Sequence, residues 1–405
     1  MISIAVLGYG TVGSGVVEVI NTNQASINKK AAEEINIKYV LDLRDFPGDP
    51  VQDKITHDFE DIINDPEIQI VVEVMGGLHP AYEFTKRALE AGKSVCTSNK
   101  ELVAQHGLEL LEIAKSKDIN YLFEASCGGG IPIIRPLNSS LTADEIDEIT
   151  GILNGTTNYI LSKMTTDGSD FDVVLKDAQD KGYAERNPEA DVEGYDACRK
   201  IAILSSLAYG CHVDFSDIYT EGITKITATD IKYAKKLGYS IKLLATSKKI
   251  GDKFYAMVCP AFVGQDSPLY SVNNVFNAIF VHGNVLGDAM FYGSGAGKLP
   301  TASAVVADVV DCAKHLHRNI MMSWSSKRLE LMDVKQVESR FFVRKAGSLT
   351  ATLSDVEAIF GPVEPIGLAD VTDEFAFITP EMNEETFKEK AKQLGGYISR
   401  IRIKD

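Results

Sequence analysis

Residues 2–20 read ISIAVLGYGTVGSGVVEVI, and this stretch decides the fold of the amino-terminal part of the chain. The apolar run from Ile2 to Leu7 is typical of a buried parallel strand, and the residues from Val16 to Ile20 are typical of a helix. Between them lies a GxGxxG turn, formed by Gly8, Gly10, Thr11, Val12 and Gly13. In this strand–turn–helix order the glycines let a pyrophosphate approach the N-terminus of the helix, where free N–H groups favour anions. The stretch therefore predicts a dinucleotide-binding fold.

The chain beyond this turn continues to alternate between strands and helices. We predict strands at 35–43, 68–74 and 120–123, a short strand ending at Val95-Cys96, and helices at 80–91 and 102–117. Such βαβ alternation is typical of a parallel, doubly wound sheet. We therefore predict an α/β protein with a Rossmann-type domain over residues 1–134. The glycine-rich stretch that contains Gly295 and Gly297 precedes an apolar helix at about 300–320, which we expect to complete this domain; the same glycines fit a flexible hinge equally well.

Two positions after predicted strands bear on the cofactor. The second strand ends in Asp42-Leu43-Arg44-Asp45. An acid there holds a ribose 2′-hydroxyl, as in NAD, whereas Arg44 suits the 2′-phosphate of NADP. The sequence leaves this choice open. Lys100 follows the fourth strand, and because ligands bind beyond the carboxyl ends of parallel strands, we expect it beside the nicotinamide or the substrate.

The composition limits the classes of protein to which this chain can belong. It has 405 residues, enough for two or three domains, and a formal net charge of −16, which argues against general affinity for nucleic acid or anionic membranes. No signal-peptide pattern opens it, and no apolar run approaches the ~20 residues that cross a bilayer. The cysteines form no CxxC pair and the histidines show no metal-ligand spacing. We predict a soluble, cytoplasmic protein that acts on a small-molecule substrate.

The rest of the chain predicts two further domains. Residues 135–300 mix helices and strands, as in an α+β substrate-binding domain whose sheet we expect to serve a homodimer or homotetramer interface. Residues 324–338 are interpreted as a polar connector. Residues 335–405 follow the order βαββαβ, which is the ferredoxin-like plan.

Residues 182–200 read GYAERNPEADVEGYDACRK, a turn-rich loop that ends in a helix. Asp196 and Lys200 share a face of that helix, and the loop that carries Glu185 is long enough to fold back over it. Two carboxylates and one amine suit a site that binds the ammonium group of a substrate and transfers a proton. The alternative is a solvated surface salt bridge, worth a few tenths of a kcal/mol.

Residues 124–132, EASCGGGIP, form an irregular turn whose carbonyl groups can face a cation or ligand. Cys127 suits a nucleophile only if a base lies near it, and no histidine is close in sequence. We therefore favour a buried space-filling role for this thiol. Residues 151–158, GILNGTTN, predict a strand that turns into a helix with Thr or Asn as the N-cap.

These motifs resemble those of homoserine dehydrogenases over residues 1 to about 330. The resemblance rests on GYGTVGSGV, TSNK, EASCGGGIP, GILNGTTNYIL, GYAERNPEADVEGYDACRK and GSGAG, in the family's order. It implies NAD(P)-dependent interconversion of L-homoserine and L-aspartate 4-semialdehyde, in the biosynthesis of threonine, methionine and isoleucine. No aspartokinase domain precedes residue 1, so the monofunctional form is the expected one.

The resemblance also implies roles for individual residues. Lys200 is implied as the proton donor and acceptor, with Asp196 and Glu185 holding the substrate. Lys100 is implied at the junction of cofactor and substrate, as a second catalytic lysine. Further cofactor contacts are implied for Gly182, Glu185, Gly295 and Gly297, and a sodium ion is implied at carbonyl groups of Glu124, Cys127, Gly129 and Ile131.

Residue chemistry agrees with this reaction but leaves the principal lysine open. Hydride leaves carbon as a proton leaves oxygen, so the site needs a base. The pKa of free lysine is about 10.4, so a lysine that acts as a base has to be desolvated or placed beside another cation. Lys100 supplies such repulsion toward Lys200, while Asp196 acts in the opposite direction.

The carboxy-terminal βαββαβ segment resembles a single ACT domain, a module that binds amino-acid effectors. Its first loop, Lys345 to Leu349, lacks the proline usual before the glycine at 347. We therefore expect threonine to be a weak effector at most. Two other functions fit parts of the pattern: a phosphorylating semialdehyde dehydrogenase that uses Cys96 or Cys127, and a nucleotide-sensing regulatory protein without catalysis.

Overall fold

The computed structural model describes residues 1–404, which fold into two compact units. The first comprises Met1–Ile146, Arg199–Ser216 and Val281–Leu329; the second comprises Asp147–Cys198, Asp217–Phe280 and the chain from Glu330 onward. Both units are discontinuous in sequence, whereas the sequence predicted three domains, of which only the first, 1–134 with the helix at about 300–320, is discontinuous; that predicted division stays a prediction. None of the helices in residues 1–404 is long and apolar enough to cross a membrane.

The amino-terminal part of the first unit is a parallel sheet flanked by helices. Its elements are β1 (Ile2–Leu7), α1 (Thr11–Ala31), β2 (Ile35–Leu41), β3 (Ile55–Thr56), α2 (Glu60–Ile63), β4 (Ile68–Glu73), α3 (Ala81–Glu90), β5 (Ser94–Thr97), α4 (Lys100–Ser116) and β6 (Tyr121–Leu122). The six strands are parallel, in the order β3-β2-β1-β4-β5-β6. This is the strand order of a doubly wound dinucleotide-binding sheet, and it confirms the predicted Rossmann-type fold.

The middle of the chain contributes to both units. Its elements are β7 (Ile146–Ile152), α5 (Gly155–Asp167), α6 (Phe171–Asp180), α7 (Glu189–Val192), α8 (Tyr195–Tyr209), β8 (Gly210–His212), β9 (Tyr219–Thr220), α9 (Ala228–Leu237), β10 (Ser240–Ile250), β11 (Lys253–Val263), β12 (Phe276–Gly283) and β13 (Gly287–Ser294). β10 and β11 form a long antiparallel hairpin, and β7 pairs antiparallel with β10. The strand β7 leads directly into α5, so the sheet fixes where the GILNGTTN motif begins.

The remaining elements complete both units. They are α10 (Lys298–Lys314), β14 (Trp324–Arg328), β15 (Glu338–Ala346), α11 (Leu349–Phe360), β16 (Glu364–Leu368), β17 (Val371–Ile378), β18 (Met382–Asn383), α12 (Glu384–Gln393) and β19 (Ser399–Lys404). α10 belongs to the first unit, where Ala302, Val305 and Val309 are buried in the same apolar core as β1 and α1. α10 approaches α1 closely at Gly15, which has no Cβ. A Cβ at this position would lie only 2.8 Å from the Lys298 carbonyl oxygen and would prevent the approach.

The carboxy-terminal segment has the predicted ferredoxin-like topology. Its strands lie in the order β19-β15-β17-β16, each antiparallel to its neighbour, and α11 and α12 cover one face. The phenylalanines Phe341, Phe360, Phe377 and Phe387 dominate its core. Because β19 also pairs in parallel with β11, the segment extends the sheet of the second unit rather than forming a separate sheet.

Buried ion pairs reinforce this junction within the second unit. The Arg344 guanidinium donates to Asp230 Oδ1 at 2.9 Å and to Glu374 Oε2 at 2.8 Å, and all three side chains are at least nine-tenths buried. Asp230 also accepts from the Thr227 backbone N–H and so belongs to the capping box of α9. Glu148 on β7 pairs with Lys248 on β10 and with Lys404 on β19. Charge is therefore buried where the strands of the carboxy-terminal segment meet the elements of the second unit that precede them in the chain.

One predicted connector is structured. Residues 324–328 form the strand β14, which pairs in parallel with β8. Trp324 is buried, and its ring lies against Gly107, where a Cβ would be 3.2 Å from the indole. The sequence did not predict this strand, because the four residues after Trp324, SSKR, are polar and only Trp324 faces the core.

Candidate active site

The glycine-rich turn after β1 is shaped to receive an anion. Gly8 has φ +96°, a left-handed conformation, and a Cβ at Gly13 would lie 1.8 Å from the Gly8 carbonyl oxygen, so only glycine fits there. α1 begins at Thr11, the N-cap residue Gly10 offers no side-chain cap, and Val12 packs on the core. The first N–H groups of α1 are therefore not capped by a side chain, which is the arrangement that binds pyrophosphate in this fold.

The structure joins the two residues that we weighed for cofactor choice. Arg44 donates through Nε to Asp42 Oδ1 at 2.9 Å and through Nη2 to Asp42 Oδ2 at 3.0 Å. Asp42 also accepts from the backbone N–H groups of Tyr9 and Arg44. These hydrogen bonds, above all those from Arg44, lower the pKa of Asp42 to about 2. The Asp42 carboxylate is thus engaged by protein donors, while the Arg44 side chain is 62% exposed at the end of β2.

Lys100 is the first residue of α4 and is half-buried. The preceding residue, Asn99, caps this helix by accepting from the Leu102 N–H at 3.1 Å. Lys100 therefore follows the carboxyl end of β5 directly, at the edge of the sheet where the Gly8–Gly13 turn also lies. The sequence predicted Lys100 just after this strand, and its place beside the nicotinamide or the substrate stays a prediction.

The four residues proposed as cation ligands lie in one tight turn of the first unit. Gly128 and Gly129 have φ of +73° and +57°, and a Cβ at Gly129 would lie 2.4 Å from the Gly295 carbonyl oxygen. Glu124 is buried, and its carboxylate accepts from the N–H groups of residues 133, 134 and 135 at 2.6–2.8 Å. Cys127 and Ile131 are also buried. The Glu124 carboxylate is thus occupied by backbone donors, which leaves the carbonyl groups of the turn as candidate ligands.

The glycines before α10 have different environments. Gly295 is buried against Gly129 in the turn just described. Gly297 is exposed, has φ +118° and is the N-cap residue of α10, without a side-chain cap. Gly130 N–H donates to the Ser294 carbonyl oxygen at 3.1 Å, which ties the two glycine-rich stretches together.

Asp196 and Lys200 lie one turn apart on α8, and both are buried: Asp196 is 4% exposed and Lys200 is 9% exposed. The alternative of a solvated surface salt bridge is therefore wrong. An amine and a carboxylate with little access to water, on one face of one helix, are costly to bury and suit a site that binds a charged, polar ligand.

Sequence reasoning missed a residue that holds this acid in place. Asn154 Nδ2 donates to Asp196 Oδ2 at 2.9 Å and to Asp191 Oδ1 at 2.7 Å, while its Oδ1 caps α5 by accepting from the Thr157 N–H. Asn154 thus brings Asp191, a second missed residue, beside Asp196. The signal was present in GILNGTTN, where we considered Asn only as a helix cap.

The loop that carries Gly182 and Glu185 lies at the surface of the second unit. Gly182 has φ +74° after α6, and both residues are exposed. The loop is anchored by the Thr156 hydroxyl, which donates to the Tyr183 carbonyl oxygen at 2.7 Å, and by Gln179, which donates to the Glu185 carbonyl oxygen. The GILNGTTN motif therefore fixes this loop through Thr156 and the Asp191–Asp196 pair through Asn154.

The thiols offer no support for a cysteine nucleophile. Cys96 and Cys127 are fully buried, and burial raises the pKa of Cys96 well above its ordinary value. The Cys127 thiol donates to the Lys200 carbonyl oxygen at 3.7 Å. Because a thiolate is the reactive form, these environments disfavour the phosphorylating semialdehyde dehydrogenase.

The chain matches two family models that together cover most of its first three quarters. The model described as "Homoserine dehydrogenase, NAD binding domain" matches residues 8–124, and the model described as "Homoserine dehydrogenase" matches residues 132–310. The homoserine dehydrogenase of Bacillus subtilis is 42% identical over 323 residues, which are 79% of this chain and 74% of that protein.

Solved structures give the same result. A homoserine dehydrogenase from Thiobacillus denitrificans superposes with a TM-score of 0.92 at 35% identity, covering 100% of this chain and 98% of the other. A hyperthermophilic archaeal homoserine dehydrogenase in complex with NADPH superposes with a TM-score of 0.66 at 27% identity, covering 77% of this chain and 97% of the other. The matched fold, the family models and the glycine-rich turn beside β1 agree, and the chain belongs to the homoserine dehydrogenase family.

Proposed function

We propose that this protein interconverts L-homoserine and L-aspartate 4-semialdehyde with NADP(H), and that Lys200 is its principal general acid and base. The observation that carries the proposal is the burial of Lys200 and Asp196 on one face of α8. A buried amine one helical turn from a buried carboxylate suits a substrate that carries both an ammonium group and a hydroxyl group. The reaction serves the biosynthesis of threonine, methionine and isoleucine.

Lys200 handles the proton. In the oxidation, the C–H and O–H bonds at C4 of homoserine break and a carbonyl group forms. When bound, the nicotinamide cofactor supplies the acceptor for the hydride. The neutral Lys200 amine accepts the hydroxyl proton, and in the reduction its ammonium form returns a proton to the carbonyl oxygen. Burial of the amine removes water that would compete for this proton.

The acids bind the substrate's ammonium group. Asp196 and Asp191 are held together by Asn154, with donor–acceptor distances of 2.9 and 2.7 Å. Two carboxylates on one amide donor give a region of negative charge that complements an alkylammonium. Glu185 supplies a further carboxylate from its exposed loop, which also carries Gly182, and Lys100 contacts the substrate and cofactor at the edge of the sheet.

The preference for NADP(H) rests on the end of β2. Four protein donors already engage the Asp42 carboxylate, so it is poorly available to accept from ribose hydroxyls. The exposed Arg44 guanidinium suits the 2′-phosphate, which it can meet with a charge-assisted hydrogen bond. The similar archaeal homoserine dehydrogenase was solved in complex with NADPH, which supports the proposal that this protein also uses NADP(H).

We further propose a sodium ion at the carbonyl groups of the turn that contains Glu124, Cys127, Gly129 and Ile131. Residues 1–404 contain no cluster of His, Cys, Asp and Glu suited to a metal, so carbonyl oxygens are the ligands that this turn offers. Neutral oxygens suit a hard cation of low charge. Replacing sodium by choline at constant ionic strength should lower both Tm and activity; unchanged values of both would refute the site.

We propose a homodimer or homotetramer built on β13, the end strand of its sheet. Met290 and Tyr292 on this strand are 41% and 53% exposed, and Val285 and Leu286 beside it are 77% and 55% exposed. Exposed apolar side chains on an end strand favour pairing with a second copy. Met290→Lys should shift the molar mass measured by light scattering toward the monomer; an unchanged mass would contradict this interface.

Two smaller proposals complete the assignment. An amino-acid effector binds the ferredoxin-like segment, with threonine weak at most. The protein works in the cytoplasm, which agrees with the lack of disulfides among the six cysteines in residues 1–404.

One assay tests the reaction itself. Purified protein is mixed with L-homoserine and either NADP⁺ or NAD⁺, and the absorbance of the reduced nicotinamide is followed. We expect turnover with both cofactors and a higher kcat/KM with NADP⁺. No turnover with either cofactor in either direction would favour the non-catalytic sensing protein instead.

A further inference from the structure

Glu73 is an acid at the end of a buried apolar strand. It closes β4, whose sequence is IQIVVE, and it is fully buried. Neither the family resemblance nor the proposed mechanism uses it. A buried carboxylate is costly unless its oxygens accept hydrogen bonds, so its contacts indicate what it does.

One carboxylate oxygen holds the loop after β4. Glu73 Oε1 accepts from the Met75 N–H at 2.8 Å. Met75 in turn lies against the glycine-rich turn, because a Cβ at Gly8 would be 3.0 Å from Met75 Cγ and 3.2 Å from its Cα. The Glu73 carboxylate therefore fixes the backbone that borders the turn where the cofactor's pyrophosphate is expected.

The other oxygen holds the segment that leads to Lys100. The Thr97 hydroxyl donates to Glu73 Oε2 at 2.6 Å, and the Thr97 oxygen accepts from the Asn99 N–H at 2.9 Å. The Asn99 side chain donates to the Gly77 carbonyl oxygen at 2.6 Å and caps α4. One buried carboxylate thus joins the loops after two adjacent parallel strands, and the second loop ends at Lys100.

We propose that Glu73 is a positioning residue that fixes the 75–77 loop and the amino terminus of α4, and through them the Lys100 side chain and the bound cofactor. This inference rests on the proposed dehydrogenase function. Its rival is a purely structural role, in which Glu73 only stabilises the sheet. The partners named here are hydrogen-bond donors, which suits the ionised carboxylate even though burial raises the pKa of Glu73.

The test compares Glu73→Gln with changes at its partner and at a matched control. In Glu73→Gln an amide NH₂ replaces one acceptor oxygen, so one buried donor loses its partner. Thr97→Val removes the hydroxyl, and Thr97→Ser keeps it. The control is Lys93→Met: Lys93 is also buried and donates to the backbone oxygens of Asp65 and Ile68, but at the opposite, amino edge of the same strands.

We expect Glu73→Gln and Thr97→Val to lower kcat/KM by about 10- to 100-fold, because the unpaired donor displaces the loops that position Lys100 and the cofactor. Thr97→Ser should remain near wild type. Lys93→Met should lower Tm without changing kcat or KM. If Glu73→Gln behaves as Lys93→Met does, losing only Tm, the positioning role is refuted. Should Glu73→Gln fail to fold, the Thr97 pair decides by the same criteria.

A binding measurement separates this proposal from the proposed reaction. NADPH affinity is measured by the fluorescence of the reduced cofactor, which needs no turnover. A wild-type protein that binds NADPH but does not oxidise homoserine would remove the dehydrogenase function alone. Glu73→Gln should weaken NADPH binding about tenfold, and equal affinity would overturn the inference in either case.

Discussion

Replacing Arg44 with alanine is expected to lower the preference for NADP⁺ over NAD⁺ by about tenfold. The structure sets this magnitude. Nε and Nη2 of Arg44 are committed to Asp42 and to the Tyr9 carbonyl oxygen, and no hydrogen bond within residues 1–404 uses Nη1. A hydrogen bond from Nη1 to phosphate is worth about 1.5–3 kcal/mol, but the 62% exposure of Arg44 places it at the lower end of this range, or about tenfold.

The same substitution makes the Asp42 carboxylate more available to the ribose hydroxyls of NAD⁺, whereas it removes the donor to the 2′-phosphate of NADP⁺. Without the guanidinium, Asp42 keeps only the backbone N–H groups of residues 9 and 44 as partners, so it can accept from ribose hydroxyls. Its pKa rises from about 2 toward the ordinary value, and it stays ionised at neutral pH. We therefore expect kcat/KM for NAD⁺ to be unchanged or higher while that for NADP⁺ falls.

The assay measures kcat/KM for both cofactors at saturating homoserine. Arg87→Ala is the matched control, because Arg87 also pairs with an acid, Glu60, and lies over the Phe59 ring, but on α3. It should leave the NADP⁺/NAD⁺ ratio unchanged. An equal fall for both cofactors in Arg44→Ala would refute recognition of the 2′-phosphate by Arg44.

Three further predictions concern catalysis, acid stability and regulation. Lys200→Ala should lose at least about 100-fold in kcat while NADPH still binds, because the proton has no acceptor; retained turnover would count against Lys200. Despite burial, Lys404 and Lys248 lower the pKa of Glu148 from 4.5 to about 2, which makes its ionisation worth roughly 3 kcal/mol of stability above pH 4.5. That stability is lost as pH falls toward 2, so the urea-unfolding difference between wild type and Glu148→Gln should shrink over this range; a constant difference would contradict the linkage. Threonine should inhibit weakly at most, and micromolar inhibition in the homoserine assay would contradict this expectation.

Most of the fold follows from local patterns. The alternation of apolar strands and helices in residues 2–122 predicts the Rossmann-type sheet, and the loop at 182–200 was predicted to end in a helix, which the structure has at Tyr195–Tyr209. These elements follow from short-range periodicity and from glycine placement.

The missed features depend on partners far away in sequence. β14 is paired with β8, more than a hundred residues earlier, and its own sequence is largely polar. Asn154 was read as a cap because Asp191 and Asp196 lie about forty residues further along. Glu73 carried a visible signal, one acid in an apolar strand before two glycines, but its partners Met75 and Thr97 become clear only when β4 and β5 lie side by side.

The buried cluster of Arg344, Asp230 and Glu374 has a consequence for the evolution of sequences in this family. Losing one member of a buried ion pair costs about 3–5 kcal/mol, because the remaining charge stays in the interior. Asp230 also caps α9 and accepts from Ser399, so its loss would harm a helix and a strand at once. Homologues that carry an apolar residue at the Arg344 position should therefore also have replaced an acid at one of the other two, and aligned sequences should show these positions covarying.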